Sequence, residues 1–334
     1  MSEMLISPGQ AKEFYQAGME QFDHLLIGEQ QAKLGVLAAM VMGENIMLVG
    51  PPGGGKTTLA QDSFRIIEGI DEDRVAKVPP LADLTPQQLV GGHARISKDI
   101  TKDGSTTTET TTTKIDAIIT PDTQVLFTNE INRVNPFALN ASLEVLESGM
   151  IYTTAGTTKV EGLEYGVATM NPAEARQGVF PITAATASRH SLGAMLGTNG
   201  IRPDVRQDRI NKIMVEGWEP RPDRMQPAAD LESLHKMRQS FGSTPIPADL
   251  HSRAIEIVER TVDGLSHHEI SESDARLAKQ IGKIAKVLAF LGAQDRVTDA
   301  DLVHAAKYVV TARLGALSRR AYDDVKGMVD TISR

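Results

Sequence analysis

Gly50-Pro51-Pro52-Gly53-Gly54-Gly55-Lys56-Thr57 decides how this chain is read. It fits the phosphate-binding loop pattern G-x-x-x-x-G-K-[ST]. Upstream, Ile46-Met47-Leu48-Val49 is a short apolar run with the pattern of a buried strand. Downstream, Thr58-Leu59-Ala60-Gln61-Asp62-Ser63-Phe64 reads as the opening turns of a helix. Strand, glycine-rich turn and helix are the setting this motif needs. Glycine lets the backbone wrap an anion closely, so that several N–H groups converge on it at the positive end of a helix. In such a loop Lys56 is placed to neutralise β- and γ-phosphates, and the Thr57 hydroxyl to ligate Mg²⁺. Gly50 through Thr57 are thus the expected nucleotide-binding residues.

Outward from the loop, apolar strands alternate with helices. Arg74–Val78, Thr123–Thr128 and Gly166–Met170 read as strands. Asn129 and Glu130 end one of them, and Asn171 ends another. Polar residues at the carboxyl ends of strands predict an open α/β sheet with its site along that edge. Ser7-Pro8 starts a first helix, and a second reaches Met42 with Leu34, Leu37, Ala38 and Val41 on one face. The threonine-rich run 105–113 resists helix and is either a β-hairpin or a mobile loop. A second hairpin is expected around Ala155-Gly156.

Prolines 203, 220, 222 and 227 mark a linker, with one strand expected near Ile210–Glu216. Beyond it, Leu277, Ile281, Ile284, Leu288 and Leu291 recur at helical spacing. Thr298-Asp299-Ala300-Asp301 caps a further helix. The expected organisation is an α/β nucleotide-binding core over 1–205, a linker over 206–228, and a small all-helical domain over 229–334.

Composition narrows the function. The chain of 334 residues carries 35 Lys and Arg against 43 Asp and Glu, a net charge of −8. With aromatics at 4%, a nucleic-acid surface built on charge and base stacking is disfavoured. The absence of cysteine excludes disulfides, thiol catalysis and thiolate metal sites. No stretch reaches the length of a membrane span, and the N-terminal residues lack the basic and apolar regions of a secretory signal. A cytoplasmic location is expected.

Triphosphate hydrolysis needs metal support, an oriented water and charge neutralisation at the γ-phosphate. Glu130 is placed to orient or deprotonate the attacking water. Asn129 is placed to hydrogen-bond a metal-bound water, without bringing charge. Asn171 offers an amide to the γ-phosphate or the water. Arg189 and Arg276 offer planar forks to phosphate, although spacing alone does not single them out.

Taken together, these segments resemble the AAA+ ATPases, and within them the MoxR-type group. Gly50–Thr58 looks like the Walker A loop, and Phe127-Thr128-Asn129-Glu130-Ile131-Asn132-Arg133 resembles a Walker B segment usually written D-E-I-N-R. Leu143-Glu144-Val145-Leu146-Glu147 is similar to the helix L-L-E-A-M-E that follows it. Val167–Pro172 resembles sensor 1, with Asn171 at its key position. Gly178-Val179-Phe180-Pro181-Ile182 is similar to G-T-Y-P-L, and by the same count Ser188-Arg189-His190 falls on D-R-F. The resemblance therefore puts Arg189 at the arginine-finger position. Ser273-Asp274-Ala275-Arg276 is similar to the sensor 2 motif S-P-R at the start of a lid helix. Ile27-Gly28-Glu29-Gln30 looks like the V-G-Q segment lying by adenine, with Ile27 and Gly28 the binding residues the resemblance implies. Three departures stand out, one being the threonine-rich insert over 101–113, which is unlike the family's usual loop. Asn129 replaces an aspartate, and the residues around Arg189 differ from the family's. The resemblance implies ATP and Mg²⁺ as cofactors, with Thr57 binding the metal and Asn129 supporting it through water. It also implies a ring, typically a hexamer, that remodels a protein client, often with a von Willebrand factor A-domain partner. Two other readings accompany it. One is a nucleotide-gated module with little hydrolysis, motivated by Asn129. The other is a DNA-dependent motor.

Overall fold

The computed structural model describes residues 5–102, 105–153, 156–172, 179–197, 203–317 and 321–333. Ala155 in the second hairpin turn, Gly178 and the middle of the first hairpin turn lie outside the described residues. The chain opens with α1 (Pro8–Phe22), α2 (Gln30–Met42), β1 (Asn45–Val49) and α3 (Lys56–Asp62). Then follow β2 (Ile67–Glu68), β3 (Val75–Val78), α4 (Pro86–Val90), β4 (Gly92–Lys102), β5 (Ser105–Ile115) and β6 (Val125–Thr128). The middle contains α5 (Pro136–Ser148), β7 (Met150–Thr153), β8 (Gly156–Lys159), β9 (Tyr165–Met170), α6 (Ala184–Ser188) and β10 (Leu192–Met195). The last part is α7 (Pro203–Met214), β11 (Ala229–Asp230), α8 (Leu231–Ser240), α9 (His251–His267), α10 (Asp274–Leu291), α11 (Asp299–Leu317) and α12 (Ala321–Ser333).

The main sheet has five parallel strands in the order β10-β1-β9-β6-β3. All of β1, β6 and β9 is buried, which accounts for their continuous apolar runs. Because the strands are parallel, the residues after β1, β6 and β9 meet at one edge. The sheet therefore gathers the phosphate loop, Asn129–Glu130 and Asn171. This is a P-loop α/β core with helices on its flanks and a helical C-terminal region. The threonine-rich run is strand β5, paired in register with β4 from Gly92↔Ile115 to Lys102↔Ser105. Of its two expected forms, the hairpin is the one found.

Two expectations need correction. The strand expected near Ile210–Glu216 is instead the end of α7. Its run Asp204–Met214 mixes straight-chain charged and amide residues without a β-branched block. Asp208 and Lys212 also pair one turn apart at 3.2 Å, which supports the helix. The second correction concerns α2, which has no single apolar face. Ala32, Lys33 and every residue from Gly35 to Met42 are buried. The cause is the C-terminal region: α8 and α10 pack on α2 in addition to β1, β9 and β10. Tyr308 of α11 lies on Gly35, where an added Cβ would come within 2.8 Å of its ring. The Tyr308 hydroxyl donates to the Gln31 carbonyl at 2.7 Å. One apolar core thus runs from the sheet through α2 into α10 and α11.

Candidate nucleotide site

The loop between β1 and α3 has the backbone its glycines allow. Gly53 and Gly55 have φ of +75° and +84°, a region that a side chain strains to enter. Gly50 is closed by contact as well, since a Cβ there would lie 2.5 Å from the Leu196 carbonyl oxygen. Lys56 is buried, and its ammonium donates to the Pro51 carbonyl at 2.7 Å, inside the curve of the loop. Burial lowers its pKa, and Glu130 partly offsets that. A buried cation facing a cradle of N–H groups is complementary to a polyphosphate. The residues present therefore fit a nucleotide.

Thr57, Asn129 and Thr169 form a chain of hydrogen bonds. Thr57 Oγ1 donates to Asn129 Oδ1 at 3.3 Å, and Thr169 Oγ1 donates to the same oxygen at 3.0 Å. Thr169 Oγ1 in turn accepts the Glu130 backbone N–H at 2.8 Å. Asn129 thus supplies the acceptor that an aspartate would supply, but not its charge. With its proton directed to Asn129, the Thr57 hydroxyl keeps its lone pairs for a metal. Among the described residues no three carboxylate or imidazole groups converge. A Mg²⁺ here would rest on Thr57 and the phosphates, as is usual for that ion.

Glu130 sits in the left-handed region, φ +44°. Such a backbone costs on the order of 1–3 kcal/mol, and the bond to Thr169 helps to hold it. Its carboxylate accepts from Asn171 Nδ2 at 2.8 Å and pairs with Arg133 at 2.9 Å. Asn132, between them in sequence, donates to the Asn171 carbonyl at 3.1 Å.

The other wall is built by the α1–α2 connection. Leu26 presses on Gly55, where a Cβ would meet its Cδ1 at 2.4 Å. Ile27 is buried and Gly28 has φ +72°. Glu29 accepts the Gly197 N–H at 2.9 Å and pairs with Arg209 of α7 at 3.1 Å. Burial raises the pKa of Glu29, while Gly197 and Arg209 hold it down. Gly197 itself lies against Pro51 and Gly54. Ile27 and Gly28 are therefore next to the phosphate loop.

Arg189 and Arg276 are elsewhere. The Asn45 amide, at the amino end of β1, donates to the Arg189 carbonyl at 3.1 Å. The length of β1, roughly 15 Å, separates that point from the phosphate loop. Arg189 and Arg276 share an open cleft of about 870 Å³ with Glu147, Glu272, Lys279 and Lys283. Arg189 pairs with Glu147 at 2.5 Å and caps the end of α6. Lys283 pairs with Glu44. Among the described residues, Arg276 makes no ion pair or hydrogen bond. The fold therefore brings Lys56, Thr57, Asn129, Glu130 and Asn171 together at one edge, and Arg189 with Arg276 at the other.

Four contributors had weak or no sequence signals. Thr169 is one polar residue in an apolar strand. Glu29 follows a glycine, and Gly197 ends an apolar strand. Arg133 is three residues after Glu130, the spacing at which a short helical turn pairs them.

Residues 45–190 match the profile of the AAA domain, dynein-related subfamily. Over those residues the chain is similar to AAA nucleotide-binding domains, and the phosphate loop, Asn129–Glu130 and Asn171 all lie within or at the end of strands of the matched segment. The uncharacterised Bacillus subtilis protein YeaC is 21% identical over 298 residues, covering 89% of this chain and 85% of that one. A crystal structure of a candidate ATPase from Cytophaga hutchinsonii superimposes with a TM-score of 0.67. It covers 97% of this chain and 94% of that one at 18% identity, a likeness of fold. Among the described residues no helix is long and apolar enough to cross a membrane.

Proposed function

We propose that the chain is a MoxR-type ATPase that works as a ring in the cytoplasm and remodels a protein client. A von Willebrand factor A-domain protein is the partner the resemblance favours. The observation that carries the reading is the separation of the two halves of the machinery. Nucleotide cradle, water-orienting Glu130 and Asn171 lie at the carboxyl edge of the sheet. The candidate finger Arg189 and the sensor arginine Arg276 lie roughly 15 Å away along β1. A chain arranged so does not complete its own site. A neighbouring copy whose cleft meets the first copy's nucleotide does complete it. In that arrangement Thr57 would hold Mg²⁺, which would supply charge neutralisation to the phosphates. Asn129 orients the Thr57 hydroxyl, and Glu130 directs the attacking water. The arginines of the neighbour stabilise charge on the γ-phosphate.

Steady-state phosphate release from ATP tests this reading. Turnover that disappears in Glu130→Gln and in Arg189→Ala supports it. Turnover that survives both substitutions overturns it.

A second reading rests on Asn129. With an amide where hydrolysis gains from a carboxylate, the chain serves as a nucleotide-gated assembly module. ATP-driven assembly without phosphate release above background would select that reading. A DNA-dependent motor is favoured by no feature of the site, and DNA-stimulated turnover is the result that would raise it.

A further inference from the structure

Arg313 lies within α11, and its side chain is fully buried, at 0% exposure. A guanidinium in such a place is costly unless its N–H groups are used. Here the planar fork reaches four acceptors. Nε donates to Glu272 Oε1 at 2.7 Å, and one terminal nitrogen donates to Gln280 Oε1 at 2.9 Å. The other donates to the carbonyls of Ala187 at 2.8 Å and His190 at 3.0 Å. Two of these acceptors belong to the C-terminal helices, since Glu272 precedes α10 and Gln280 lies on it. The other two bracket Arg189. Both Glu272 and Gln280 line the cleft that holds Arg189 and Arg276. Arg276 is one helical turn before Gln280, close enough that its charge acts on Arg313. One buried cation therefore ties the turn that carries Arg189 to the helix that carries Arg276.

We propose that Arg313 is a positioning residue that fixes Arg189 and Arg276 in register, so that movement of the C-terminal helices is transmitted to the Arg189 turn. The inference rests on the reading of Arg189 as a finger for a neighbour's nucleotide. Lysine would not substitute. An ammonium is a point charge without the fork that spans acceptors on two elements. A purely structural ion pair would harm everything its own chain does. A positioning residue harms only the site that its chain helps to complete in the neighbour.

The test uses Arg313→Lys and the double variant Arg313→Met with Glu272→Gln. The double variant removes the cation and its buried counter-charge together, so no lone charge remains in the core. Each is made in the natural chain and in an Asn129→Asp background. Thermal melting, affinity for a fluorescent ATP analogue and ATP turnover are measured. Turnover is measured alone and after equal mixing with Glu130→Gln chains before assembly. The expected result is a folded chain with nucleotide affinity unchanged and turnover down about tenfold to a hundredfold. Mixing should restore turnover toward about a quarter of the native rate, because that share of randomly mixed neighbours joins an intact Glu130 to an intact finger. Loss of nucleotide affinity along with turnover, or no recovery on mixing, overturns the proposal. Arg189→Ala mixed with Glu130→Gln is the control. If that pair recovers and the Arg313 variants do not, only this inference falls. If that pair also fails, the finger reading falls first. No turnover in either background overturns both.

Discussion

Asn129 is where the residue scale matters most. Its oxygen accepts from Thr57 and Thr169 as a carboxylate would, so the geometry of the site is preserved without the charge. Hydrogen bonds to a charged acceptor are roughly twice as strong as neutral ones. Asn129→Asp is therefore expected to raise turnover about tenfold, which corresponds to about 1.4 kcal/mol in the transition state. Steady-state phosphate release at saturating ATP reads this directly, and an unchanged rate would remove the charge from the account. His190 offers a second test. It is fully buried and donates from Nδ1 to the Thr186 carbonyl at 3.0 Å. Burial lowers its pKa from 6.5 to about 4. The unfolded chain therefore takes up a proton below pH 6.5 that the folded chain refuses until about 4. Stability falls across that window by a total of roughly 3 kcal/mol and is level on either side. His190→Phe has no such proton to gain. Denaturant midpoints at pH 7 and pH 4.5 should show a smaller acid loss for the variant than for the native chain.

At the scale of elements, legibility followed burial. Four strands of the main sheet, β1, β3, β6 and β9, were readable as short apolar runs, whereas β10 was not, because Leu192-Gly193-Ala194-Met195 carries small residues where α11 packs on it. The loop was readable because its glycines and lysine allow few other structures. The residues that escaped notice act through contacts distant in sequence, Thr169 by one hydroxyl and Arg313 by a fork reaching four acceptors, and such contacts leave no spacing in a sequence. The α7 helix was misread because prolines around it suggested irregular chain. The all-round burial of α2 was not visible because it depends on helices more than 190 residues later. The contact between α11 and β10 belongs here too. At Gly193 the helix lies backbone to backbone on the strand, and an added Cβ would be 2.2 Å from the Ala312 nitrogen. Neither side has a flexible end to move. Gly193→Ala is expected to cost about 1–3 kcal/mol. A urea midpoint that stays put would show that α11 has room to shift.

For the whole molecule, the ring proposed above would make assembly part of the chemistry, because Arg189 and the nucleotide cradle lie at opposite edges of the sheet. Arg189→Ala should leave nucleotide affinity of the single chain unchanged and lower turnover by about a hundredfold or more. Fluorescent-nucleotide binding and phosphate release, measured on one preparation, separate the two. Equal losses in both would place Arg189 at its own nucleotide. Uniformity of the subunits then matters, because one altered copy changes the sites it shares. Asparagine ages to aspartate when the following backbone nitrogen attacks the side-chain carbonyl. At Asn129 that nitrogen belongs to Glu130, and it is held by Thr169 at 2.8 Å. The carbonyl oxygen is held by two hydroxyls. With that nitrogen engaged and the side chain fixed in place, the bonds that shape the site are expected to slow deamidation of the folded chain. In the ring proposed above, each copy would then keep the uncharged group it was made with.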